Sequence, residues 1–495
     1  MKNKKQYPLI FKKERILLMM FLCCHLLTSG CTATKSHCIK SSLKNVPYKE
    51  KISYDSKKVK KDIEKYLQAC TAPSGLLRSF TSTSPYFFST DSGKFHKVVY
   101  GKMGYLEEQA YTYDLALGTI GLLLVGKKEQ AEKILDLFES EFYKDKNGIN
   151  GIFNSYIVTN EVYIDELKLG ADGDRIHAGP TLWVVLAALN HMKIVRNTRY
   201  LEFILDIVDW CRTELTYYKF PDGERGAVSM GFGWGPDWSK IFSTEHNVDY
   251  FAVLRMLRDI YDESNEEVRN IFREKTITKE WLEDEMEHVG RWISEVVFDK
   301  EFYCFIAGVN ENGVDRLKVL DGTSWGIGGV GPENFEKWGI DLDKLIESTE
   351  KNFRATYKME DGRELTGFDF TDFEGTGYSR KELFWFEGTG QMIIAFGELS
   401  HYFSKKGDLE RASYYKDKAI KYSNDMNAFT EYYGLKGALP YMAILMKEKE
   451  IIKTLKYEWE IPRGRTDCWV GSLSSTMWFL YCTQDFYNTM KWKFN

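Results

Sequence analysis

The feature that most constrains this chain is an alternation of two kinds of apolar segment. EEQAYTYDLALGTIGLLLVG (107–126) is apolar on nearly every face, whereas EQAEKILDLFESEFY (129–143) has its apolar residues on one stripe at helical spacing. An all-round apolar segment predicts a helix surrounded by protein, and an amphipathic segment predicts a helix with one face in water. The same order recurs along the chain, so the sequence predicts a series of helical hairpins.

Six such hairpins predict a closed ring. Five pairs are read directly, and the sixth is predicted from a helical stretch near 435–449 together with TDCWVGSLSSTMWFLYCTQ. The interval of roughly 70 residues is too irregular for a short solenoid repeat. We therefore expect an all-α fold, an (α/α)6 toroid with short β or loop insertions at its mouth. The predicted inner segments begin near Asp114, Leu182, Glu245, Asp321, Glu387 and Asp467.

Acidic side chains recur at these starts. In a ring of hairpins all inner helices run the same way, so their N-termini meet at one mouth. Helix N-termini present free N–H groups and a partial positive charge, which favour carboxylates. The acids near the starts are therefore expected to be either helix caps or residues of one site.

Five inner segments also carry a resemblance to known proteins. YTYDLAL, STEHNVDYF, DGTSWG, WFEGTGQM and STMWFLY, taken in this helix-pair order, resemble the six-hairpin glycosidase superfamily and its secreted bacterial glycoside hydrolase-like members. The resemblance covers nearly the whole domain. It implies an (α/α)6 barrel, a carbohydrate cleft at the mouth and a carbohydrate substrate.

Glycoside cleavage sets a demand that three acids could meet. It needs two carboxyl groups flanking the scissile bond, about 6.5–9.5 Å apart in an inverting enzyme. Glu245 stands in a polar helix start where Ser243 or Thr244 could cap the helix, and a capping role is the alternative for Glu245. Glu387 lies between Phe386 and glycine, where partial desolvation would raise its pKa and suit a general acid; the alternative is a buried structural carboxylate. Asp114 is predicted to be either a base or a structural acceptor.

Further residues are predicted to bind substrate. The loop GFGWGPDW offers Trp234 and Trp238 as platforms for sugar rings. Glu374 belongs to an earlier copy of the FEGTG motif, in a stretch without helical period, and is placed on the rim. The remaining candidates lie near inner-helix starts and are His246, Asp249, Asp321, Trp325, Trp385 and Gln391.

These residues predict a glycoside hydrolase that acts on a polysaccharide or oligosaccharide, with an inverting acid/base mechanism. A non-catalytic carbohydrate-binding lipoprotein on the same fold is the main alternative. Phosphorolysis and lyase chemistry also stay open, because Arg175, His177 and His246 could serve them. Fold similarity alone does not decide between these functions.

The N-terminus predicts export. MKNKKQYPLIFKKER is basic, and ILLMMFLCCHLL is apolar but too short for a stable membrane-spanning helix. LTSGC resembles the end of a bacterial lipoprotein signal, although Thr28 stands where that pattern has leucine. The resemblance implies a signal peptide over 1–30 and a lipid anchor at Cys31; an ordinary secretory signal is the alternative. Residues 31–55 predict a tether and 56–495 one catalytic-type domain, hence a membrane-anchored lipoprotein in the periplasm or on the cell surface.

Composition excludes other partners. The net charge is -5 with acids and bases mixed throughout, which argues against nucleic acid as a partner. The cysteines beyond the signal and Cys31 are scattered singly, without the Cys/His spacing of a zinc site. We expect a monomer without metal or cofactor. The sequence is compatible with one or two disulfides and does not assign their pairing.

Overall fold

The computed structural model describes residues 51–81, 108–144, 146, 148–158, 168–170, 173–372, 383–443, 463–464 and 471–484. All of them belong to one unit, Pro47–Asn495. The predicted signal peptide, Cys31, most of the tether, Glu374 and Asp467 lie outside the described residues.

Helices dominate the described residues. Besides a short 3-10 helix at Trp238–Lys240, they form fourteen α-helices, numbered here in chain order. These are α1 Ser56–Cys70, α2 Thr112–Leu124, α3 Lys128–Phe142, α4 Ala178–Val195, α5 Leu201–Thr213, α6 Thr244–Glu263, α7 Glu266–Glu274, α8 Lys279–Glu295, α9 Asp321–Gly329, α10 Pro332–Lys337, α11 Leu342–Phe353, α12 Phe386–Lys405, α13 Leu409–Tyr432 and α14 Leu473–Thr483.

Six helices close into an inner ring. α2, α4, α6, α9, α12 and α14 each pack against the next in this order, and α14 packs against α2. Their sequences are apolar on most faces because both neighbours, the outer layer and the ring interior cover them. α4 is long and apolar enough to cross a membrane, but 78% of it is buried within the protein, as befits a core helix. The predicted (α/α)6 toroid is confirmed.

The outer layer is amphipathic, as expected. α3, α5, α8, α11 and α13 pack against the inner helices α2, α4, α6, α9 and α12, respectively. The sixth outer helix is α1, which packs against α14 through a stripe that includes Ile63 and Leu67. The predicted helical stretch near 435–449 is wrong over 435–443, which form a turn and a short strand. The ring closes between the two ends of the domain rather than between consecutive segments.

Short strands surround the mouth. Five of them, at Gln109–Tyr111, Arg175–His177, Phe242–Ser243, Phe384–Trp385 and Gly471–Ser472, end directly before an inner helix and pair mostly antiparallel with other strands. The remaining strands are Phe80–Thr81, Ser155–Ile157, Lys168–Leu169, Tyr217–Lys219, Arg225–Val228, Gly231–Gly233, Phe298–Asp299, Cys304–Asn310, Gly313–Lys318, Arg354–Lys358, Glu364–Phe368, Met442–Ala443 and Arg463–Gly464.

Capping differs between the two layers. Four of the six outer helices begin at side-chain caps, for example Thr278 on the N–H of Trp281 and Asp408 on the N–H of Arg411. The exceptions are α3 and α5. Five of the six inner helices, all but α14, begin without a side-chain cap. The expected cap of α6 is also absent, because Ser243 makes no cap bond and the Thr244 hydroxyl donates to the carbonyl of Ile306. At five of the six inner-helix starts the N-terminal N–H groups are therefore free of such caps.

The described cysteines form no disulfide. Cys70, Cys211, Cys304 and Cys482 are free thiols, and the first three are buried. Cys38 and Cys468 lie outside the described residues. The packing of the helices therefore carries the described fold without a covalent link.

Candidate active site at the mouth of the ring

Four carboxyl groups converge where the inner helices begin. Asp114, Glu245, Asp321 and Glu387 occupy the first turns of α2, α6, α9 and α12. The charges of Asp114 and Glu245 act on Glu387, and those of Glu245 and Glu387 act on Asp321. The structure thus places on one mouth four acids that are far apart in the sequence.

Glu387 is the most firmly held of the four. Its side chain is 5% exposed, and the Tyr113 hydroxyl donates to its Oε1 at 2.5 Å. Tyr113 is itself fixed, since the Trp478 Nε1 donates to the same hydroxyl at 3.1 Å. Burial raises the pKa of Glu387 to about 8, more than the hydrogen bond from Tyr113 lowers it. Glu387 therefore holds a proton at neutral pH.

Asp114 belongs to the same cluster as Glu387 and shares a partner with it. Asp114 is buried and interacts with the hydroxyls of Ser79 and Ser474, and Ser474 also interacts with Glu387. Burial raises the pKa of Asp114 to about 7 despite these hydroxyls. Asp114 is covered to the same degree as Glu387, and the shared Ser474 connects the two carboxyls.

Glu245 differs from Glu387 in its access to water. Its side chain is exposed, although the protein around it still raises the pKa of its carboxyl by desolvation. A side chain that is open to solvent and yet surrounded by protein is one that lines a cleft. Because water reaches Glu245 and screens its charge, we expect the rise in its pKa to have a smaller effect than in a covered carboxyl.

Two further acids lie beside Glu245. Asp249, one turn along α6, is buried, and its Oδ1 accepts from the Trp325 Nε1 at 2.7 Å. Asp321 is half-buried. Burial, together with the charge of Glu245, raises the pKa of each well above its ordinary value. Asp249 and Asp321 therefore favour their protonated forms, and Glu245 is the acid of these three that is open to water.

Three indoles close the ring interior below the acids. Trp183, Trp325 and Trp478 come from α4, α9 and α14, and their ring centroids lie 4.9 to 5.6 Å apart. All three are buried. Trp325 thus supports Asp249 from below and offers no open face to a sugar.

The predicted aromatic platform divides in two. Trp234 is 60% exposed. Trp238 is buried, with its ring 4.5 Å from the His177 ring and against the Arg175 guanidinium. Its Nε1 donates to the carbonyl of Trp234 at 3.3 Å. The structure therefore leaves Trp234 free to stack on a ligand and uses Trp238 to hold the loop.

The other predicted binding residues are covered. His246 is buried against Gly179, and burial lowers its pKa to about 4. Trp385 is buried beside Tyr441, with 6.2 Å between ring centroids. Gln391 is buried and its Oε1 accepts from the Ser324 hydroxyl at 2.8 Å. These three residues shape the walls of the mouth.

Three residues without a predicted role belong to the site. Tyr113 and Ser474 both interact with Glu387, and Tyr441 stands among the four acids. Tyr113 could have been suspected because it precedes Asp114 within YTYDLAL. No sequence signal points to Tyr441, which follows an outer helix in an irregular stretch.

Metal binding finds no support in the described part of the chain. No group of three or more His, Cys, Asp or Glu side chains there is placed to hold an ion. Besides burial, the neighbours that shift the pKa values of the acids at the mouth are other acids, hydroxyls, indoles and a backbone N–H. None of these neighbours is a lysine or an arginine.

The raised pKa of Glu387 gives a stability prediction. The ordinary value is 4.5 and the folded value about 8, so the folded state binds an extra proton between these pH values. The free energy of unfolding of the wild type should therefore fall by up to about 1.4 kcal/mol per pH unit across this window. In Glu387→Gln the free energy of unfolding should fall less between pH 5 and pH 8 than in the wild type, because the titrating carboxyl is gone. Urea unfolding at both pH values measures this difference. Equal pH dependence in both proteins would contradict the assigned burial.

Comparison with known proteins bears on the fold. No protein-family model and no curated protein matches the chain. Among solved structures, a family 76 glycoside hydrolase from a bovine Bacteroides thetaiotaomicron strain matches with a TM-score of 0.52 and 11% identity, over 88% of this chain and 78% of that one. Two variants of a glycosidase match with TM-scores of 0.51 and 0.50 at 8% identity, over 88% of this chain and 99% of theirs. At these identities the similarity concerns architecture alone, and the chain shares its (α/α)6-toroid fold with these structures.

Proposed function

We propose that the protein is a glycoside hydrolase in which Glu387 is the general acid and Glu245 the general base. One observation carries this proposal: the mouth holds a covered carboxyl that keeps its proton at neutral pH together with a carboxyl that is open to water. Environments that push two pKa values apart are what an acid/base pair requires. The shared architecture with glycoside hydrolase structures supports the same reading.

The proposed reaction uses the two carboxyls on opposite sides of one bond. The Glu387 carboxyl gives its proton to the glycosidic oxygen as the C1–O bond breaks. Glu245 takes a proton from water, whose oxygen bonds to C1. In the ring, α9 stands between α6, which carries Glu245, and α12, which carries Glu387. We therefore propose the wider separation of the two carboxyls that inverting enzymes have, with a water molecule between Glu245 and the sugar. Following the anomer of the first released sugar by time-resolved NMR tests this step, and retention of configuration would contradict it.

Hydrolysis fits the mouth better than phosphorolysis or elimination. A phosphate or a uronate carboxylate would meet a carboxylate at Glu245, and no lysine or arginine among the described residues acts strongly on the acid cluster. Anion binding and elimination both call for such cations. We therefore propose an uncharged saccharide as the substrate.

Tyr113 sets the pH range of the proposed acid. Its hydrogen bond favours the ionised form of Glu387, so Tyr113→Phe should raise the pKa of that carboxyl further. The alkaline limb of the kcat/KM profile should then move up by about one pH unit. Tyr402→Phe is the matched control, because that hydroxyl donates to Glu336 near the far end of α12. An alkaline limb that moves down, or moves equally in both variants, would contradict the assignment.

We further propose an exported lipoprotein anchored at Cys31. The basic, apolar and LTSGC stretches at the N-terminus support this location. Expression in a Gram-negative bacterium with radiolabelled palmitate should label the wild-type protein and leave Cys31→Ser unlabelled and released from membranes. Labelling of both forms would contradict a lipid at Cys31.

A further inference from the structure

Tyr441 is an open group in the mouth that the acid/base mechanism does not use. It lies between α13 and the strand Met442–Ala443, and its side chain is half-buried. The charges of Glu387, Asp321, Glu245 and Asp114 all act on its hydroxyl, with that of Glu387 strongest. The hydroxyl therefore faces the same mouth as the four first-turn acids.

The backbone holds Tyr441 in this place. The Phe386 N–H donates to the Tyr441 carbonyl at 3.2 Å, directly beside Glu387. The Tyr441 ring packs at a tilt against Trp385. Both contacts anchor the residue to the start of α12, so the hydroxyl is positioned relative to Glu387 before any ligand binds.

The hydroxyl has donor capacity to spare. It makes no hydrogen bond to a described residue, in contrast with the Tyr113 hydroxyl, which is committed to Glu387. Burial and the surrounding acids raise the pKa of Tyr441 well above its ordinary value, which favours the protonated hydroxyl that can donate. The neighbouring carboxyls, in contrast, exchange donor for acceptor capacity as they titrate.

We propose that the Tyr441 hydroxyl is a substrate-positioning donor, which binds an oxygen of the sugar held between Glu245 and Glu387. This inference rests on the proposed function, because it assumes that the mouth receives a sugar. A few well-placed polar groups fix the orientation of a ligand in such sites. Placing C1 between acid and base requires this kind of fixed donor.

Cationic iminosugars provide a probe that does not depend on turnover. The protonated ring nitrogen of 1-deoxynojirimycin or 1-deoxymannojirimycin complements an ionised Glu245, and the sugar-like hydroxyls would accept from Tyr441. Tyr441→Phe should weaken their binding by about 10-fold in calorimetry, the loss expected for one hydrogen bond to a ligand. On a cleaved glycan, the same variant should lower kcat/KM by a similar factor.

Tyr402→Phe is the control, since it also removes a hydroxyl that faces a carboxylate, about 22 Å along α12 from Glu387. It should leave iminosugar affinity unchanged, whatever it does to the melting temperature. Equal affinity of the wild type and Tyr441→Phe would overturn the role of Tyr441 alone. Failure of the wild type to bind either probe would overturn the sugar site itself, and with it both proposals.

Discussion

Glu387→Gln is expected to lower kcat on a glycan substrate by about 1000-fold, within the range that a positioned general acid contributes. The amide keeps the shape of the side chain and can still accept from Tyr113, but it has no proton to give to the leaving oxygen. Glycan affinity should change little, because the lost proton acts in the transition state. Steady-state kinetics together with calorimetry on the same glycan measure both quantities.

Glu398→Gln is the matched control for this variant. Glu398 is a second buried glutamate of α12, about 16 Å further along the helix and away from the mouth. Its replacement should leave kcat within a few-fold of the wild type. If both variants lose activity alike, the loss reflects the packing of α12, and the assignment of Glu387 as the acid fails.

Glu245→Gln is expected to abolish turnover to a similar degree, by about 100- to 1000-fold. Glu245 is the carboxyl at the mouth that is open to water, and in the proposed mechanism its replacement removes the base that activates the attacking water. The acidic limb of the pH profile, which reports this base, should disappear from the residual activity. Measuring kcat/KM from pH 4 to pH 9 provides the check.

The other end of α6 supplies the control for Glu245. Glu263 is an exposed glutamate about 27 Å along the same helix, so Glu263→Gln changes the same kind of group away from the mouth. It should retain wild-type activity and a normal pH profile. Retention of the acidic limb in Glu245→Gln would show that another group is the base.

The ring was predictable because its cause is local. Apolar periodicity separates inner from outer helices within each segment, and the predicted starts near Asp114, Glu245, Asp321 and Glu387 agree with the observed ones. Ring closure is a contact between distant segments, so the role of α1 as the sixth outer helix could not be read from segments taken in order.

The acids at the mouth could be predicted for the same reason, since first-turn positions follow from the helix starts. Their differing exposure could not, because it depends on neighbours from other hairpins. Glu245 is open and Asp249 is covered although they are one turn apart. Trp234 and Trp238 separate in the same way within one loop, and Tyr441 reaches the site from an irregular stretch.

We propose that this mouth cleaves uncharged glycans with Glu387 as acid and Glu245 as base. Incubating the purified domain with a panel of neutral bacterial and plant glycans, with products followed by NMR, tests it most directly. We expect the wild type to release sugar from at least one glycan, and Glu387→Gln and Glu245→Gln to bind that glycan without releasing sugar. Binding by the wild type without any release, or release that survives both substitutions, would contradict it.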